Sequence, residues 1–74
     1  MMPPKYPNAV VRVDLAGPDS NSFLIMAKAI AAMKAVGASQ PEIDDYHKEA
    51  TAGDYANLLE VTRRWCDFAS EGRN

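Results

Sequence analysis

From Ala9 to Leu15 apolar and polar positions alternate: Ala9, Val11, Val13 and Leu15 share one face, and Val10, Arg12 and Asp14 share the other. A period of two predicts a strand with one buried side, and Gly17-Pro18 ends it. The period then lengthens. Phe23, Met26, Ala27, Ile30 and Met33 recur at helical spacing, with Leu24 and Ala31 widening the stripe, which predicts a first helix. Asp19, Ser20, Asn21 and Ser22 are all residue types that cap a helix start, with Ser20 or Asn21 favoured. Gly37 is placed to stop the helix. Five alanines between 27 and 35 leave it a smooth surface that another helix can approach closely.

A second helix begins near Ser39, where Ser39 and Glu42 have capping-box spacing and Pro41 fits a first turn. Its apolar stripe is narrow: Ile43, Tyr46, His47 and Ala50. Glu42, Asp44 and Asp45 fall near the positive end of its dipole, where carboxylates are stabilised. Gly53 closes this helix, and Asp54 caps a third that starts at Tyr55. Tyr55, Leu58, Leu59, Thr62, Trp65, Cys66 and Ala69 lie on one face of it. Cys66, Asp67 and Phe68 also read as a short extended segment.

The pattern is that of an α+β protein, one N-terminal strand followed by three helices. Residues 1–8, with three prolines, read as an extended arm. Residues 9–70 form a single small domain, and 71–74 a frayed tail. A lone strand leaves backbone donors and acceptors unmatched. Its partner is therefore either the same strand of a second copy, which is favoured, or the segment around Trp65–Ala69.

Composition favours a second copy as well. A 74-residue chain gains only ~3–5 kcal/mol from its own core. Its one cysteine allows no internal disulfide, and one His with one Cys cannot close a zinc site. A homo-oligomer, with a dimer favoured, is the remaining supplement, and the 47% hydrophobic content suits it. The net charge of −2 argues against a nucleic-acid grip, which needs a basic excess. The longest apolar run, Phe23 to Ala27, is far too short to span a bilayer, and the N-terminus has no signal-peptide pattern. A reduced, cytoplasmic protein is expected.

Candidate chemistry is sparse. No phosphate-binding glycine loop, metal-ligand cluster or catalytic signature stands in the sequence, so neither an enzyme nor a cofactor is expected. Cys66 falls on an apolar helix face, as a buried small hydrophobe would, and His47 beside Tyr46 reads as a half-buried surface residue. Glu42, Asp44 and Asp45 lack a metal-loop spacing. Two helix starts carry more interest. Asp19, Ser20, Asn21 and Phe23 follow a strand and open a helix, where free backbone donors can hold an anion. Asp54 and Tyr55 open another helix, with Tyr55 read as a core anchor folding back on Tyr46.

Two stretches also match a motif. "GPDSNSFLIM" fits G-x-D-x-N-x-F-x-I, through Gly17, Asp19, Asn21 and Phe23. "EATAGDYANLL" with a following tryptophan fits E-A-T-x-G-D-Y-x-x-L-L…W, through Glu49, Thr51, Gly53, Asp54, Tyr55, Leu58, Leu59 and Trp65. From about Val10 to Trp65 the chain resembles a family of small proteins scattered through bacteriophages, prophages and bacterial genomes. Pro18 and Ser20 depart from its first motif, and "CDFASEGRN" is a weak version of its closing strand. The resemblance carries no established activity. Its phage setting implies an accessory protein acting on host machinery.

The expected function is binding without catalysis. In one form the protein sequesters a small nucleotide-like ligand as a counter-defence. Asp19, Ser20, Asn21, Phe23, Asp54 and Tyr55 then meet phosphate and base, and Arg12, Arg63 or Arg64 supply charge. In the other form the acidic second helix docks on a host protein and blocks it. A structural or accessory oligomer is the remaining alternative.

Overall fold

A computed structural model describes residues 3–14, 17 and 21–71. Strand β1 (Tyr6–Asp14) is followed by helices α1 (Ser22–Ala35), α2 (Gln40–Ala50) and α3 (Tyr55–Trp65), and by strand β2 (Cys66–Glu71). The architecture is α+β, as the periodicities predict. Helices α1 and α3 pack against the two-stranded sheet and α2 packs on those helices, with the core between them.

The two strands run parallel. Val10 to Asp14 pair in register with Asp67 to Glu71, Tyr6 pairs with Cys66, and the register shifts between Tyr6 and Val10. The partner of the N-terminal strand is thus the chain's own C-terminal segment, the less favoured of the two alternatives. The physical reason lies in α3. It stops at Trp65, and Cys66 takes extended angles of φ −131° and ψ 161°. Cys66 and Phe68 then point inward while Asp67 stays exposed. Cys66 and Ala69 consequently belong to a strand and not to the apolar face of α3.

Alternation along β1 is realised as read. Ala9, Val11 and Val13 are buried, whereas Val10, Arg12 and Asp14 are exposed. Leu15 lies outside the described residues. The strand starts earlier than the proline content suggests, at Tyr6, so the extended arm is shorter than eight residues. Lys5 is already tied down. Its backbone N–H donates to the Arg64 carbonyl at 2.9 Å, its ammonium meets Glu42 at 3.1 Å, and it lies 4.9 Å from the centre of the Trp65 ring.

Helix α1 is rotated relative to the expected stripe. Ile25, Met26, Ala29 and Met33 are its buried residues, while Phe23 is 81% exposed and Leu24 38%. Apolar side chains surround this helix almost completely, so periodicity alone could not choose the inward face. In α2, Ile43, Tyr46 and Ala50 are buried as expected and His47 is exposed.

One polar pair sits inside the core. The Tyr46 hydroxyl and Thr62 Oγ1 are 2.7 Å apart, and Thr62 donates its own proton to the Leu58 carbonyl at 2.8 Å. Tyr46 is therefore the donor of the first bond. Burial pushes its phenol up to about 12 and the buried Cys66 thiol up to about 11, because water no longer solvates the charged forms.

Candidate functional site

The α2–α3 joint is built from residues of the second motif together with Asn57 and His47. Thr51 turns its hydroxyl back to the His47 carbonyl at 2.8 Å, closing the end of α2. Asp54 Oδ1 accepts the Asn57 backbone N–H at 2.9 Å and caps α3. Asn57 Nδ2 in turn donates to the Glu49 carbonyl at 2.9 Å, joining the start of one helix to the end of the other. Gly53 is required by this closeness, since a Cβ there would sit 2.9 Å from Asn57 Cβ. Glu49 reaches further, accepting the Trp65 indole N–H at 3.0 Å. The spacing from glutamate to tryptophan in the motif is the spacing of this bond.

Across from the joint, α1 begins. Asn21 caps it, its Oδ1 accepting the Leu24 N–H at 2.9 Å. The starts of α1 and α3 face a common hollow of about 290 Å³, lined by Ser22, Met26, Ala50, Thr51, Gly53, Asp54, Tyr55 and Leu58. Met26, Ala50 and Leu58 are buried and form an apolar base, while Tyr55 is 41% exposed. Tyr55 is thus a pocket wall. The side chain hydrogen-bonded to Tyr46 is Thr62.

Of the residues expected to bind, Asp54 and Tyr55 line the hollow. Asn21 acts as a cap at its edge. Phe23 is next to the lining residue Ser22 and points to solvent. Asp19 and Ser20 lie outside the described residues. The three arginines are elsewhere. Arg12 lies on the exposed face of the sheet, donating to the Asp67 carbonyl at 2.9 Å and meeting its carboxylate at 3.6 Å. Arg63 stacks over Phe68 at 5.5 Å. Arg63 and Arg64 both occupy the last turn of α3, roughly 12 Å along its axis from Tyr55. No Lys, Arg or His is among the lining residues.

Sequence reading missed Ser22, Met26, Ala50, Thr51 and Leu58 as lining residues. Met26, Ala50 and Leu58 carry an ordinary core signal, and only their position at one end of the helical layer makes them a floor. Among the described residues, no cluster of His, Cys, Asp or Glu could hold a metal ion, and no helix is long and apolar enough to cross a membrane. No family model, curated protein or solved structure matches the chain.

Proposed function

We propose that this is a non-catalytic binding protein of phage type that sequesters a small nucleotide-like ligand as a counter-defence. The observation that carries the proposal is the convergence of two helix starts and an aromatic side chain, Tyr55, on one concave site. A hollow with an apolar base and a few converging polar groups is the usual form of a small-molecule site. Its volume of about 290 Å³ lies near the lower bound of such pockets, ~300 Å³, which suits a nucleoside-sized group.

Two further parts belong to the same proposal. The free, buried Cys66 is compatible with a reducing cytoplasm. Phe23, Leu24 and Val36, exposed along α1 and just beyond it, support association with a second copy as a homodimer. The exposed Phe23 equally favours a second reading, in which the protein docks on a host protein. That contact would centre on α1 and not on the acidic α2.

Native mass spectrometry before and after mild denaturation tests the proposal. A discrete species carrying extra mass, released on unfolding, is the expected result. Tyr55→Ala should abolish that passenger while leaving the oligomer mass unchanged. A passenger retained in full by Tyr55→Ala would move the binding site away from this hollow.

A further inference from the structure

The chemistry of the hollow narrows what it can take, given the proposal that it binds a nucleotide-like ligand. Among the described residues, Asp54 is the only charged one that lines the hollow. Its bond to the Asn57 N–H uses one carboxylate oxygen, and a carboxylate offers about four acceptor positions on two oxygens. Acceptor capacity therefore remains beside the Tyr55 ring. Each helix start already has one backbone N–H capped, Leu24 by Asn21 in α1 and Asn57 by Asp54 in α3, and at α3 the cap itself is an anion. A phosphate would meet a carboxylate with no lining cation to offset it, because Arg12 pairs with Asp67, Arg63 lies over Phe68, and Arg64 sits with Arg63 in the last turn of α3, away from the lining residues.

We infer that the hollow recognises the amine-bearing edge of a planar heterocycle, a base of the adenine or cytosine type. The exocyclic amine donates to Asp54, the ring lies against Tyr55, and any phosphate remains outside. A base with a carbonyl at that position, as in uracil, turns an acceptor toward the carboxylate and is rejected. Sites built to pair one hydrogen-bonding group discriminate strongly against an analogue that leaves it unpaired.

Titration calorimetry of the full chain with adenosine, cytidine, uridine and their 5′-monophosphates tests this. Adenosine or cytidine should bind at least ~10-fold more tightly than uridine, and the added phosphate should give no gain. Asp54→Asn keeps an oxygen for the Asn57 N–H, so the cap and melting temperature should persist. It places a donor where the amine would donate, so it should lower affinity for the amine-bearing nucleoside about 10-fold and shift preference toward uridine. Tighter binding of all three monophosphates, with no preference among bases, would overturn the inference and leave a nucleotide-like ligand standing. An amine preference unchanged in a folded Asp54→Asn would also overturn it. Failure of all six ligands to bind would remove both the inference and the nucleotide-like ligand on which it rests.

Discussion

The α2–α3 joint and the outer face of α1 are both conspicuous in the sequence, yet they are used in opposite ways. At the joint the polar motif residues and the tryptophan have bonded partners within the chain: Glu49 with Trp65, Thr51 with His47, Asp54 and Glu49 with Asn57. On α1 the largest side chain of the first motif, Phe23, remains 81% exposed. A dense motif can thus record internal scaffolding, whereas a conspicuous aromatic can sit outside the scaffold altogether. The hollow lies between the joint and the start of α1, where Ser22 and the buried Met26 line it and Phe23 does not.

Removing the keystone of the bonded region should give the largest effect. The Trp65 ring stacks on Tyr6 with centroids 6.3 Å apart and meets Tyr46 edge-on at 6.0 Å. Trp65→Ala should cost ~3–5 kcal/mol, comparable with the whole stability expected of so small a core. Urea titration followed by far-ultraviolet circular dichroism should show a largely unfolded chain. A cooperative transition near the wild-type midpoint would mean that the joint holds without its tryptophan.

Alkaline pH reaches the core behind the joint. Tyr46 and Cys66 have folded-state values raised from 10.0 to about 12 and from 9.0 to about 11. Above the unfolded value the unfolded chain loses a proton that the folded chain keeps, so stability falls as pH rises. The contribution is fully present below pH 9. It should decline from about pH 9 to 11 through Cys66 and from about pH 10 to 12 through Tyr46, by ~2–3 kcal/mol for each group. Urea midpoints across this range should flatten at the lower end in Cys66→Ala and at the upper end in Tyr46→Phe.

Gly53→Ala probes the joint alone. The added methyl meets Asn57 Cβ at 2.9 Å, and α2 and α3 must separate slightly to admit it. A loss of ~1–3 kcal/mol is expected, read as a lowered melting temperature. No loss would show that the glycine is dispensable to the close approach.

The smallest effect on stability should come from Phe23→Ala, within ~0.5 kcal/mol as for other surface changes. Light scattering sharpens the contrast with the joint. A fall in particle mass with unchanged stability would assign Phe23 to self-association, and a large loss of stability would show that it is part of the fold.

Much of this architecture was legible in the residues. The alternation of β1 is a local signal and burial follows it closely, whereas in α3 Leu58, Thr62 and Trp65 are buried as read but Tyr55 is exposed and Val61, outside the expected stripe, is buried. The orientation of α1 was not legible, because a helix apolar on nearly all sides takes its facing from its neighbours. The transition at Cys66 was ambiguous because Trp65, Cys66 and Ala69 fit a helical face while Cys66 and Phe68 also fit a strand. Only pairing with β1 distinguishes the two. For the site, Asp54 and Tyr55 were readable as a helix start. Their meeting with Ser22 and Met26 depends on how α1 lies across the joint, which local sequence does not encode.

The parallel pairing of the two strands also sets an order of assembly. The Arg12 to Asp67 contact across the sheet spans 55 residues, and no hairpin can bring those partners together early. Closing so long a loop carries an entropic cost that local contacts avoid. On a ribosome, β1 emerges first and finds its partner only after all three helices have followed it. Until then a nine-residue strand exposes its valines and its backbone edge to other nascent chains. Pairing of the two strands therefore waits on the last element of the chain to appear.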